Sequence, residues 1–304
     1  MQESRSRIYN NHGILQITLE SPGCFYRKNG YCKMCHYGSG RKITAEEAAE
    51  ITGCALKTYP HPAGILVGSF GSLLDEREID RATLSAVLEV VNKSPIKSVY
   101  IETHANTVDF ESLSFLNEKL PKKTITIEMG LESANPIILK KIVNKCLDLD
   151  ALKHTMELIH SFGMRVALNI IYGLWYEKNQ MQKDFIETCN WANENGADEI
   201  VMFLLNIKPN TYIKSLYDDG NLSLPQHPEF ISTLIKLNDD ILSKTYFSWF
   251  GERQQHGEDM QFIPPDYAGL DPEKTMRFYY RFMVTQDVSI RRMLATELLE
   301  SFPT

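Results

Sequence analysis

The sequence predicts an α/β protein: a partial (β/α)6 TIM-type barrel followed by a mainly helical C-terminal extension. Three observations carry that expectation. Six short strand-like runs alternate with helix-patterned stretches, which makes a parallel sheet with right-handed crossovers. Six units fall short of the eight in a closed barrel, so the sheet stays open. From about residue 211 the alternation gives way to helical patterning, so residues 1–210 read as the barrel and 211–304 as the extension.

Each element has its own signal. ILQITLE (14–20) alternates apolar and polar residues, the period of a strand. Thr44 then opens a helix, with Glu47 three positions on completing the capping-box spacing. GILVGSF (64–70) is a short buried run, and a helix follows from about Asp80 to Asn92 with Leu84, Val87, Leu88 and Val91 in helical register. KSVYIET (97–103) is the third strand, Val108 to Lys119 a helix, and TITIEMG (124–130) the fourth strand. Helices are expected over Pro136–Lys145 and Asp148–Phe162, the latter stopped by Gly163. RVALNIIYG (165–173), a helix over Gln180–Glu194 and EIVMFLLN (199–206) complete the six units. In the extension, helices are expected over Asp271–Met283 and Val288–Glu300. The aromatic segment 245–267 is too polar and too punctuated by glycine and proline for a simple helix; it reads as a cover over the barrel mouth with Phe247, Trp249 and Phe250 as its apolar face, the competing reading being that these aromatics fill the open side of the barrel as core.

Composition narrows the class. The 304 residues are 43% hydrophobic and 23% charged, values of an ordinary globular chain. No apolar run approaches the roughly 18 to 20 residues of a membrane span, and the first residues, MQESRSRIYNNHG, lack the apolar core of a signal peptide. The expected address is therefore cytoplasmic, with no membrane partner. In a reducing compartment, six cysteines read as ligands or buried thiols rather than disulfides. The net charge of −7 argues against a chain that grips nucleic acid over its whole surface.

Chemistry concentrates in GCFYRKNGYCKMCHYGSG, which begins at Gly23. Cys24, Cys32 and Cys35 stand in the spacing Cys-x7-Cys-x2-Cys just after the first strand. Three thiolates on one loop can hold three corners of an iron–sulfur cluster, leaving one iron open, whereas clusters are usually closed by four ligands. A zinc site built from the same three cysteines plus His36 is the competing reading. Cys54, Cys146 and Cys189 share no motif spacing and read as core thiols.

In a parallel sheet, ligands bind beyond the carboxyl ends of the strands. Those ends are polar here while the strand bodies are aliphatic. The second strand ends in Gly68-Ser69-Phe70-Gly71-Ser72, then Asp75; the third delivers Glu102, Thr103 and His104. The fourth delivers Glu128, Gly130 and Glu132, the fifth Asn169, Tyr172 and Gly173, the sixth Asn206, Lys208 and Pro209.

Taken with the cysteine loop, these ends resemble those of the radical S-adenosylmethionine (SAM) enzymes over about residues 14–220. GYCKMCHYG and GSLLDEREI (71–79) resemble the branch containing the radical SAM subunit of archaeosine synthase. EMGLES (128–133) resembles the fourth-strand motif shared with elongator-type radical SAM domains. IIYGLW (170–175) is similar to their fifth-strand Gly-Leu-Pro, with Trp175 in the place of proline, and KPNT…LYDDG (208–220) resembles the turn and helix after their sixth strand. Thr103-His104 stands where that branch tends to carry an arginine.

The resemblance implies a [4Fe–4S] cluster on Cys24, Cys32 and Cys35, with SAM on its open iron and held by Gly71, Ser72, Glu102, Glu132 and Asn169. It implies reductive SAM cleavage that starts radical chemistry on a small-molecule or modified-nucleobase substrate, oriented by Lys208 or His104. A one-electron reductant such as flavodoxin or ferredoxin, and sensitivity to oxygen, go with that chemistry. Three alternatives stay open: a tRNA-modifying enzyme like archaeosine synthase, a 3-amino-3-carboxypropyl-radical transferase, and a non-catalytic zinc-binding interaction module.

Overall fold

A computed structural model describes residues 6–11, 13–35, 37, 39–174, 178–248 and 263–301. Its strands are β1 (Arg7–Asn11), β2 (Ile14–Leu19), β3 (Gly64–Ser69), β4 (Ser98–Thr103), β5 (Thr124–Glu132), β6 (Arg165–Tyr172), β7 (Glu199–Leu204) and β8 (Thr245–Phe247). They lie in one sheet in sequence order. The strands β2 to β7 are the six expected, separated by helices as a partial TIM-type barrel requires, and helical segments follow them.

Two strands were not expected. β1 pairs antiparallel with β2, Arg7 opposite Thr18. Its sequence, RIYNN, is too polar for the apolar pattern of a strand, and an edge position allows that. β8 is only three residues, TYF, and pairs parallel with β7, Met202 opposite Phe247. It hides at the start of the aromatic segment that sequence reading assigned to a loop.

The chain divides into two compact units. The first comprises residues 1–32, 37–130 and 145–167; the second comprises 33–36, 131–144 and 168–304.

In the first unit, β3 is buried at every position, as a strand covered on both faces must be, while β4 alternates. The helix Ala45–Thr58 opens with the expected capping box: Thr44 Oγ1 accepts from Glu47 N at 3.2 Å, and Thr44 N donates to Glu47 Oε2 at 3.0 Å. Two of the four orphan donors of a helix start are thus satisfied reciprocally. The helix Arg81–Lys93, capped by Asp80, buries Leu84, Val87, Leu88 and Val91, the four residues its period singled out.

In the second unit, the stretch expected as one helix over Pro136–Lys145 begins helically at Pro136–Ile138 and continues as a π-turn over Leu139–Val143. Asn144 ends it in the left-handed region at φ 51°, donating its N–H to Leu139 O across five residues. Such turns occur mostly as single interruptions, often beside functional sites. Ile138, Ile142 and Val143 pack with Leu174, Leu205, Ile207, Ile213 and Leu216 in one core cluster, and Met34 leans on it. The helices Pro272–Val284 and Val288–Glu300 stand within a residue of their expected bounds. Phe247, expected in the apolar face of a mouth cover, is 2% exposed and packs against Phe230, Phe278, Tyr279 and Phe282. It is core. Residues 249–262, including Trp249, Phe250, Arg253 and His256, lie outside the described residues.

Candidate functional site

The cysteine loop of the first unit is held by its backbone. Cys24 N donates to Tyr37 O at 2.7 Å, and a four-residue helical turn, Phe25–Lys28, starts immediately after it. Tyr31 N and Cys32 N both donate to Tyr26 O, at 2.9 and 3.1 Å, so the loop folds back to bring Cys32 under the turn. None of the six cysteines is in a disulfide.

A residue that sequence reading did not single out joins this loop to the end of β3. Glu78 is 1% exposed, and its two carboxylate oxygens accept from Phe25 N and Ser72 N, each at 2.8 Å. One buried side chain thus grips the residue after Cys24 and the glycine-serine turn together. Burial pushes its carboxyl up to about 7, against the two N–H bonds that favour the charge. Gly71 is small because it must be: a Cβ there would stand 1.9 Å from Glu78 Oε2 and 2.9 Å from Cys24 Cα. Beside it, Asp75 binds the Arg77 guanidinium at 2.6 Å, and that guanidinium lies 3.5 Å from the centre of the Phe25 ring. Asp75, Arg77 and Glu78 all belong to GSLLDEREI, so that run is a brace for the cysteine loop. The motif resemblance of the run gave no role to Glu78 itself, and its density of charge reads as surface.

The expected SAM contacts of this unit are placed as follows. Ser72 is buried, and its hydroxyl meets Thr103 Oγ1 at 2.6 Å and Thr107 Oγ1 at 2.9 Å while accepting from His104 N at 3.0 Å. That hydroxyl locks the end of β3 to the end of β4. The Glu102 carboxylate lies over Gly68, where a Cβ would approach Glu102 Oε2 to 2.5 Å. The Ser69 hydroxyl, 3% exposed, has no hydrogen-bond partner among the described residues.

His104 differs from the expectation of a basic group that orients substrate. Its ring stacks on Tyr26 with centroids 4.2 Å apart. Nε2 donates to Lys145 O at 3.1 Å and Nδ1 accepts from Asn106 N at 3.1 Å. Burial, with the nearby Lys145 ammonium, pushes its pKa down to about 3. A neutral imidazole with both nitrogens committed braces the Tyr26 turn. The run of polar groups at strand ends could not separate such a brace from a ligand contact.

In the second unit, β5 ends on Glu132, which has φ 65°. Ser133 N donates to Leu131 O at 2.8 Å across it, so Glu132 is the centre of a γ-turn. A non-glycine residue held there stores strain, which persists only where the surroundings enforce it. Asn169, on β6, is 7% exposed, and its Oδ1 has no partner among the described residues. Leaving such an acceptor unmet costs about 1–3 kcal/mol, which a bound donor would recover. Lys208 is half-buried past the end of β7, its carbonyl accepting from Thr211 Oγ1 at 2.8 Å.

The structure places Cys24 and Cys32 in the first unit and Cys35 in the second. In the second unit, Lys33 N donates to Val143 O at 2.9 Å, so the π-turn anchors the segment that carries Met34 and Cys35. Among the described residues, no three His, Cys, Asp or Glu side chains are grouped to hold a metal ion. His36, the fourth ligand of the zinc reading, lies outside them.

Comparison with known proteins gives no matching family model. An uncharacterized protein of Methanocaldococcus jannaschii is 23% identical over 95% of this chain and 81% of its own. Archaeosine synthase subunit beta of Methanosarcina acetivorans is 25% identical over 69% of this chain and 63% of its own. The chain thus spans less than two-thirds of that enzyme subunit. Among solved structures, methylornithine synthase superposes with a TM-score of 0.57 at 15% identity, covering 90% of this chain and 83% of that one. A queuine lyase from Clostridium spiroforme, solved with SAM and queuine, superposes with a TM-score of 0.51 at 19% identity, covering 72% of this chain and 91% of that one. The resemblance carried by the motifs is met in both sequence and fold: this chain is similar in sequence to archaeosine synthase subunit beta and shares the partial-barrel fold of methylornithine synthase and the queuine lyase.

Proposed function

We propose that this protein is an enzyme that binds an iron–sulfur cluster through Cys24, Cys32 and Cys35 and cleaves SAM to begin radical chemistry on a nucleobase-like small molecule. The donor set fits the group: three reduced thiols within twelve residues, on a loop whose backbone is tied down at Cys24, Cys32 and Lys33. When bound, a [4Fe–4S] cluster of this kind supplies one electron for reductive cleavage of SAM, delivered to it by a protein such as flavodoxin or ferredoxin. The chain's residues do the rest by binding and positioning. Gly71 leaves room for the Glu78 brace behind Cys24. Glu102, Glu132 and Asn169 are the SAM contacts, the two carboxylates suited to a ribose diol and a sulfonium. Ser72 fixes the turn through its hydroxyl and presents the neighbouring backbone. Lys208 orients the substrate, and His104, being neutral, acts through Tyr26. Residues 1–210 form the catalytic barrel in this reading, and 211–304 its extension.

The single observation that carries the proposal is Glu132. A γ-turn held at a non-glycine residue persists only where its surroundings enforce it, and this one closes β5 at the end where ligands of parallel sheets bind. Asn169 Oδ1, on β6, has no partner among the described residues and fits a donor group of a ligand.

A nucleobase substrate is favoured because a named sequence relative makes archaeosine and a structural neighbour holds queuine. A tRNA carrying that base is the second reading, supported by the same relative, while the net charge of −7 favours the free base or a partner that brings the RNA. The test is anaerobic reconstitution, with iron and sulfide determination and mass spectrometry of the SAM products. Methionine with 5′-deoxyadenosine supports the proposal; methylthioadenosine marks the aminocarboxypropyl alternative. Zinc in place of iron rejects both.

A further inference from the structure

We propose that Asp184 and Ser133 are positioning residues that hold Glu132 in its ligand-facing turn. The inference rests on the reading of Glu132 as a SAM contact.

The two residues after Glu132 are held by one helix. Ser133 is fully buried and its hydroxyl donates to Asp184 Oδ1 at 2.9 Å. The same hydroxyl accepts from Asn135 N at 3.0 Å. Ala134 N donates to Thr188 Oγ1 at 2.9 Å. Asp184 and Thr188 are four residues apart on the helix Lys178–Glu194, hence on one face of it. Two side chains of one helix face therefore fix two consecutive residues of the loop. Asn135 Oδ1, in turn, caps Ile137 N at 2.9 Å, so the loop is pinned at its far end as well.

Asp184 is 7% exposed, a carboxyl held out of water against the Ser133 hydroxyl. Burial, partly offset by the Ser133 hydroxyl and reinforced by Glu187, pushes its pKa up to about 6. Near neutral pH it is the charged acceptor, and a hydrogen bond to a charged acceptor is roughly twice as strong as a neutral one. Burying a carboxylate costs free energy unless it is hydrogen-bonded. The cost is understandable if the bond must hold a strained neighbour: φ 65° at Glu132 relaxes unless Ser133 is fixed.

The test compares Ser133→Ala, Asp184→Asn, Glu132→Gln and the doubles of Glu132→Gln with each. Three quantities are read on the anaerobically reconstituted protein: iron content, melting temperature, and SAM dissociation constant by equilibrium dialysis. The proposal expects Ser133→Ala and Asp184→Asn each to weaken SAM binding at least fivefold with wild-type iron content. It expects the doubles to be no weaker than Glu132→Gln alone, since there is then no contact left to position. Ser133→Thr, which keeps the hydroxyl, should restore affinity. Should a variant fold poorly, Thr188→Val removes the second tether without touching the buried carboxyl. Wild-type SAM affinity in Ser133→Ala, in a protein whose Glu132→Gln variant is weakened, overturns the proposal. Losses that add in the doubles also overturn it, because they mark general loosening. Wild-type affinity in Glu132→Gln overturns instead the reading of Glu132 on which the inference rests.

Discussion

At the scale of single residues, the site is built by backbone grips more than by exposed polar groups. Glu78 shows this. A glutamate in DEREID looks like surface charge, and nothing in its spacing marks it as buried; only the fold brings Phe25 and Ser72 to its two oxygens. Replacing Glu78 with alanine leaves the buried Ser72 N–H and the part-buried Phe25 N–H unmet, at up to about 1–3 kcal/mol each. Denaturant unfolding of the apoprotein should show a loss of several kcal/mol, and a loss under 1 kcal/mol would disprove the double grip. Gly71→Ala should lower stability too, since its Cβ has no space beside Glu78 and Cys24. Glu132 makes the opposite prediction. A left-handed conformation costs an L-residue about 1–2 kcal/mol, and glycine removes that while adding about 0.4–1 kcal/mol of unfolded-state entropy. Glu132→Gly should therefore melt at or above Glu132→Ala, which loses the same side chain but keeps the strained backbone, while cleaving SAM poorly. A melting temperature below that of Glu132→Ala would show that the turn is not strained.

At the scale of elements, sequence period was a good guide wherever one face of an element is buried. The capping box at Thr44 and the apolar stripe of Arg81–Lys93 stand as read, because local spacing determines both. β8 was illegible because three residues carry no period, and Phe247 was mistaken for a cover because burial depends on partners far along the chain. Phe247→Ala should cost about 3–5 kcal/mol as a core truncation, measured by denaturant unfolding. A cost under 1 kcal/mol would return it to the surface. The helix that starts at His227 makes a pH prediction. Its imidazole is buried, bonded through Nδ1 to Tyr279 OH at 2.8 Å and stacked on Tyr267, and burial pushes its pKa down to about 4 although Asp266 opposes this. Its ordinary value is 6.5, so the unfolded chain takes up the proton first. The stability this residue contributes is whole above pH 6.5 and is lost as pH falls towards 4, by about 3 kcal/mol at ~1.4 kcal/mol per unit. His227→Gln should flatten that part of the stability profile, leaving the similar fall due to His104. Parallel profiles for variant and wild type would refute it.

For the whole molecule, the strand–helix alternation carried the architecture, which is legible because it follows from local spacing; the three cysteines carry the proposed chemistry. What was not legible is which polar strand ends find partners within the fold: Ser72 and His104 sit in the same sequence pattern as Asn169, yet their side chains bond to neighbouring residues while Asn169 Oδ1 has no partner among the described residues. The central claim is that Cys24, Cys32 and Cys35 hold a cluster that drives SAM cleavage. It is tested most directly by reconstituting wild-type, Cys32→Ala and Cys54→Ala proteins anaerobically, reducing them with dithionite, and determining iron, sulfide and SAM products in each. The account predicts a brown wild-type protein that yields methionine and 5′-deoxyadenosine, an equally active Cys54→Ala variant, and a Cys32→Ala variant that is pale and inert. Full iron content in Cys32→Ala, or a wild-type protein that holds zinc and leaves SAM intact, would contradict it.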